Sequence, residues 1–178
     1  VGSLTILQSI MQLTSTPING FTQGVQPILS YNFGAGKLNR VKQAYRRIIA
    51  VTAGFSFLLT ALEMMFPKVL ARMFTQDEEL IALVGHAAPI FLAGMLIFGI
   101  QMGCQTTFMG LGQAKISLFM ALLRKVFLLV PFALIFPMVT GKADSIYFAE
   151  CTADALAATI CGTVFALKIR KILAKKIS

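Results

Sequence analysis

The sequence predicts an all-α fold, a polytopic membrane helix bundle of about five transmembrane helices. Three observations carry that expectation: an apolar composition, five apolar runs of spanning length, and basic residues gathered between the runs. Of 178 residues, 57% are hydrophobic and only 13% charged, with a mean hydropathy of +0.79; an ordinary soluble domain is about a quarter charged. The net charge of +9 does not point to nucleic acid, because the basic residues lie in short clusters rather than over one polar face.

A bilayer core about 30 Å thick takes roughly 20 apolar residues per helix. Runs of that length cover residues 4–30, 48–66, 80–110, 116–138 and 146–167. Between them lie GAGKLNR, PKVLARMFTQDEE, GLGQAK and TGKAD, whose glycine, proline and charge read as turns at the membrane surface. Cys104, Cys151 and Cys161 sit inside apolar runs without metal-ligand spacing and read as small buried hydrophobes. Val1 opens directly into an apolar run with no basic flank, unlike a signal peptide. With no initiating Met, a fragment is the expectation.

Orientation follows from lysine and arginine near the span ends. One side collects Lys37, Arg40, Lys42, Arg46, Arg47, Lys115 and the tail at 168–178 with Lys168, Arg170, Lys171, Lys175 and Lys176. The other side has Lys68, Arg72 and Lys142, beside Asp77, Glu78 and Glu79. The expected arrangement is a multi-pass cell-membrane protein with its C-terminus cytoplasmic. Tyr31, Tyr45 and Tyr147 fall at span ends, where an amphipathic ring favours the interface.

In the first span Gln8, Gln12, Thr16, Asn19, Gln23 and Gln26 recur at three- and four-residue intervals, which a helix gathers into one stripe. Two readings stay open: amides joining helix to helix, or the wall of a wet cavity handling polar or cationic solutes. Gln101 and Gln105 join these amides as cavity-lining candidates. Pro17 and Pro27 disturb the same helix and require neighbours or water to satisfy freed carbonyls. Gly20 with Gly24, and Gly99 with Gly103, form GxxxG pairs that favour close helix packing.

Arg124 lies eight residues into the fourth span, roughly 12 Å deep at the helical rise, where anchoring by snorkelling and a functional role are both open. Lys125 points elsewhere and is expected to snorkel. Glu150 and Asp154, one turn apart on one face of the last span, are the ion-coupling candidates, since intramembrane acids mark ion or proton pathways. Glu150 is also readable as a surface residue near the outer end. Glu63 is expected to be solvated near that interface, and His86, a lone histidine close to it, reads as incidental rather than catalytic.

Enzymatic motifs fail. A Walker loop needs glycine where Tyr31 sits and Ser or Thr where Leu38 sits, and a dinucleotide fingerprint needs glycine at Asn39. Neither a Ser/His/Asp set nor a metal-binding cluster is evident.

The stretch from Gly20 to Ala44, with Gln23, Gly24, Gln26, Pro27, Tyr31, Asn32, Gly34, Ala35, Arg40 and Lys42, resembles the eighth-helix segment of bacterial multidrug and toxic compound extrusion (MATE) transporters. GLGQAKIS from Gly110, Arg124 with Pro131, and AExxAD at Ala149, Glu150, Ala153 and Asp154 are similar to the family's last three helices. The resemblance implies helices 8–12 of a twelve-helix, two-lobed transporter, a partial C-terminal lobe over residues 1–178, with the N-terminal lobe and helix seven elsewhere. It further implies export of small cationic, amphiphilic drugs in exchange for Na+ or H+, with no other cofactor. Some branches of the family carry a coupling acid in the tenth helix; the aligned position here is Phe98, and no acid lies between Leu80 and Val139. Cation coupling then rests on an acid elsewhere, and Asp154 is the weaker for it. Two alternatives remain: a lipid-linked sugar flippase of the same superfamily, against which the YNxGA turn argues, and a non-transporting membrane fragment or interaction module.

Overall fold

The computed structural model describes residues 2–140 and 145–175. Lys142 and Lys176, counted above for orientation, lie outside the described residues. Five helical rods form the bundle. The first is α1 (Gly2–Gly34), and the second is α2 (Leu38–Met65), followed by the short α3 (Pro67–Arg72). The third joins α4 (Glu78–Leu92) to α5 (Phe98–Gly110) through a 3₁₀ turn at Ala93–Leu96. The fourth joins α6 (Ala114–Leu122) to α7 (Val130–Thr140) through a π-helical stretch at Leu123–Leu129, and α8 (Ser145–Lys175) is the fifth.

By length and composition, Leu38–Met65, Glu78–Gly110 and Ala114–Met138 are long and apolar enough to cross a membrane. The helices α1 and α8 are as long, 33 and 31 residues, but their rows of polar side chains dilute the apolar run. The basic stretch after Gly36, expected as a loop, is the start of α2, which begins ten residues before its apolar run. Its cationic side chains need no break in the helix, since Arg and Lys are good helix formers. In the same way α8 continues past residue 167 into the basic tail.

Two turns end their helices in one way. Gly36 and Gly112 adopt φ of +70° and +72°, and the amides that follow reach back five residues, Lys37 N to Asn32 O at 2.9 Å and Gln113 N to Phe108 O at 2.8 Å. This is the Schellman closure, for which a glycine at the left-handed position avoids a Cβ clash. At the other end Asp77 caps α4, accepting from the amides of Glu79 and Leu80.

The expected close packing holds for one GxxxG pair only. A Cβ on Gly99 would overlap the backbone carbonyl of Thr52 in α2, and one on Gly103 would lie 2.7 Å from Thr52 Oγ1. Gly20 and Gly24 have nothing within 4 Å of a built Cβ. Their side of α1 faces away from the bundle. One apolar cluster around Leu7, Ile10, Phe91 and Leu92 fills one end of the bundle; a second, around Leu29, Cys104, Phe108 and Phe165, fills the other. Cys104 and Cys161 are free and buried in the second cluster. Tyr45 stacks edge-on against Phe165 at 5.4 Å. Tyr147 is buried rather than interfacial, its hydroxyl 3.0 Å from Ser3 Oγ.

Candidate functional site

The polar centre of the bundle is built where two helical irregularities meet α8. The 3₁₀ turn at Ala93–Leu96 interrupts the α-helical ladder, and the carbonyl of Met95 accepts from Ser56 Oγ at 2.6 Å. Gly94 in that turn lets α8 come close: a Cβ there would lie 2.6 Å from Asp154 Cβ and 2.8 Å from Cys151 O. Opposite, Arg124 sits in the π-helical stretch; such insertions widen a helix locally and are frequent at functional sites.

These elements bring Arg124 and Asp154 together. Arg124 Nε donates to Oδ1 at 2.5 Å and an Nη donates to Oδ2 at 2.9 Å, a two-pronged geometry that matches fork to fork. The side chains are 11% and 2% exposed. The guanidinium carbon lies 4.7 Å from the centroid of the Phe98 ring, so an aromatic face covers the cation from the third rod. Arg124 therefore does not snorkel toward the membrane surface; the charge is neutralised inside the bundle. Both oxygens of Asp154 are engaged.

Next to this pair opens a cavity of about 350 Å³, lined by Gln8, Gln12, Thr5 and Ser9 of α1, Lys125 and Leu129 of the π-helical stretch, and Glu150 of α8. Lys125 thus lines the cavity rather than only reaching for an interface. Glu150, readable from sequence as a surface residue, is 7% exposed, because its turn of α8 is packed into the bundle while its side chain borders the cavity. Gln12 Oε1 accepts from Ser15 Oγ and Thr16 Oγ1 on its own helix. Among the described residues, the side chains of Gln8, Asn19, Gln23 and Gln26 make no hydrogen bond to another helix. Gln8, Gln12, Thr16 and Gln23 are exposed and Asn19 and Gln26 half-buried, on the side of α1 away from Leu7, Ile10 and Ile18.

The other two amides part company with the stripe. Gln105 is packed against α6, its Nε2 donating to Ser117 O at 3.3 Å. Gln101 is 2% exposed with Oε1 unpartnered, deep between α5 and α8, where Cys161 Sγ reaches its backbone carbonyl at 3.9 Å. Among the motif residues, Pro27, Tyr31, Gly34, Ala35 and Arg40 are exposed, while Asn32 Nδ2 donates to Ile28 O at 2.8 Å and holds the end of α1. Pro131 is half-buried early in α7.

Glu63 corrects an expectation. It is buried, 5% exposed, rather than solvated, because α1 lies across its face of α2. Thr14 Oγ1 donates to its Oε1 at 2.8 Å, and Oε2 has no hydrogen-bond partner. The sequence carried only a faint signal of this, a lone acid before the end of an apolar run; nothing in it paired positions 14 and 63.

The model of the MatE family matches residues 1–135. The chain belongs to the MatE family. Its fold agrees with solved MATE structures: a MATE in the bent conformation superposes with a TM-score of 0.91 at 19% identity, covering 100% of this chain and 39% of that one. An outward-facing multidrug resistance MATE transporter of the MOP superfamily superposes with a TM-score of 0.87 at 19% identity, over 96% of this chain and 38% of that one. A MOP-superfamily transporter from Pyrococcus furiosus, described as having a binding pocket of reversed polarity, gives 0.88 at 20% identity, over 97% and 39%. In sequence the MatE chain is 28% identical to an uncharacterized protein of Mycoplasma genitalium over 142 residues, 78% of this chain and 26% of that protein. The homologue in Mycoplasma pneumoniae is 27% identical over 141 residues. The chain spans about a quarter of the length of these curated relatives.

Proposed function

We propose that this chain is part of the C-terminal lobe of a cation-coupled antiporter that exports cationic, amphiphilic compounds by alternating access. The observation that carries the reading is the α1 amide stripe: a row of hydrogen-bonding side chains turned away from the bundle's own core and running into the cavity beside Glu150. In a membrane a polar row stands against water or another protein surface and not against lipid. A facing lobe would close it into a central chamber, and rocking of the two lobes would open that chamber to either side in turn.

Within this reading the residues divide the work. Gln8, Gln12, Asn19, Gln23 and Gln26 offer neutral carbonyl oxygens that suit a cation without trapping it. Glu150 supplies negative charge at the chamber wall, balanced by Lys125. Asp154 is held by Arg124 at both oxygens, so an incoming Na+ or H+ acts on it only by displacing the guanidinium. Glu150 is accordingly the better candidate for cation contact, and the Arg124–Asp154 pair positions α8 against the π-helical stretch. The Lys/Arg-rich end, with the tail, faces the cytoplasm.

The test is efflux of a fluorescent cationic dye from cells expressing this chain alone and joined to a MATE N-terminal lobe. Gradient-dependent efflux is expected from the joined protein only, with Glu150→Gln reducing it more than ten-fold. Two well-expressed joined proteins, differing only at Glu150 and pumping equally, would remove Glu150 from the mechanism. Failure of every joined protein to move dye, despite membrane insertion, would favour the non-transporting fragment.

A further inference from the structure

The end of the bundle holding the Gly36 and Gly112 turns is positively charged and has no acidic side chain of its own. The chain's acids are Glu63, Asp77, Glu78, Glu79, Asp144, Glu150 and Asp154. None precedes Glu63, and none follows Asp154. Among the described residues the side-chain ion pairs are Arg72 with Glu78 and Arg124 with Asp154, so Lys37, Arg40, Lys42, Arg46, Arg47 and Arg170 have no ion-pair partner among them.

Several of these residues surround one space. A cavity of about 390 Å³ lies between the first turns of α2 and the last turns of α8, where Lys42, Arg46 and Arg170 meet the apolar side chains of Leu38, Ile169 and Leu173. A second depression of about 380 Å³ opens beside it over Gly36–Arg40. It lies at the N-terminus of the 28-residue α2, which has no capping side chain and no acid in its first turn. A helix start of that kind presents free amides and the positive end of the dipole, which favour an anion. The two features adjoin, sharing Leu38 and Asn39, and they point to one kind of ligand. A cavity that combines cationic and apolar side chains is amphipathic, and its volume lies within the range of small-molecule sites.

We propose that this cavity binds an anionic phospholipid, with the headgroup phosphate among Lys42, Arg46 and Arg170 beside the α2 N-terminus, and an acyl chain leaving past Ile169 toward the bilayer. Basic pockets between spanning helices at a membrane surface are suited to such headgroups, and anionic lipid is concentrated where lysine and arginine cluster. Inorganic phosphate would satisfy the cations and leave the apolar side chains to water. A zwitterionic lipid would cover the apolar side chains and bring no net charge to the cations.

The experiment is native mass spectrometry of the purified chain in neutral detergent, with phosphatidylglycerol or phosphatidylcholine of identical acyl chains, and with inorganic phosphate as competitor. Preferential retention of phosphatidylglycerol is expected. Lys42→Gln, Arg46→Gln and Arg170→Gln should each weaken it about five-fold, whereas Lys68→Gln at the opposite end leaves it unchanged. Equal retention of the two lipids, or cavity variants no weaker than Lys68→Gln, would overturn the proposal. Displacement of the lipid by millimolar phosphate would overturn it in favour of a simple anion site. Should a cavity variant not fold, the wild type still decides: binding should fall steeply as salt rises from about 0.05 to 0.5 M, and salt-independent binding would contradict a charged site.

Discussion

Asp154→Ala removes a carboxylate that is 2% exposed and leaves Arg124, 11% exposed, beneath the Phe98 ring with two donors unmade. Breaking a buried pair by deleting one partner costs about 3–5 kcal/mol, while replacing both with apolar residues of similar volume is near neutral. The single variant should therefore lose two to almost four decades in its unfolding equilibrium. The double replacement Arg124→Met with Asp154→Leu should recover most of that loss. The assay is reversible unfolding of the purified chain in mixed detergent micelles, followed by far-UV circular dichroism, on wild type, both singles and the double. A coupling energy above about 2 kcal/mol is expected from the cycle. If Asp154→Ala costs less than about 1 kcal/mol, or if the two single losses simply add, the pair is solvated and the account of a neutralised interior charge is wrong.

Three further outcomes can be read with the same assay. Gly99→Ala places a methyl group on the Thr52 carbonyl and should cost about 1–3 kcal/mol by overpacking, whereas Gly20→Ala, with nothing within 4 Å, should stabilise or be neutral; equal effects would mean that α2 and α5 are not in close contact. Thr14→Val withdraws the hydroxyl that donates to Glu63 at 2.8 Å and should cost about 1–3 kcal/mol through the unpaired buried carboxyl, and Glu63→Leu made in the Thr14→Val background should restore most of it. A Thr14→Val change within the error of wild type would place Glu63 in water. Gly112→Ala, at φ +72°, should cost about 1–2 kcal/mol; no loss there would mean that the turn closes differently.

Much of the fold was legible because hydropathy is a property of short stretches. The five apolar runs became five rods, and GAGK and GLGQ became the two turns with left-handed glycines. The ends of the rods were less legible: α2 starts in the basic stretch at Leu38 and α8 runs on to Lys175, since charge stops an apolar run without stopping a helix. The 3₁₀ turn at Ala93–Leu96 and the π-helical stretch at Leu123–Leu129 left no mark in the periodicity, because each depends on what a neighbouring helix presents. At the site, the spacing put Glu150 and Asp154 on one face, and the structure gave them different surroundings: an open cavity for one and a guanidinium for the other.

By itself the sequence determined the membrane class, the number of rods, the segregation of basic residues to one end and the amide stripe along α1. Each follows from solvent preference or from the helical angle between positions on one chain segment. The tertiary structure alone decided that Arg124 meets Asp154 under Phe98, that Glu63 is buried against Thr14, and that Gly99 but not Gly20 touches another backbone. Periodicity sets the angle of a residue on its own helix; which faces come together is set by how each helix is rotated against its neighbours, and that rotation is settled by packing across the whole bundle.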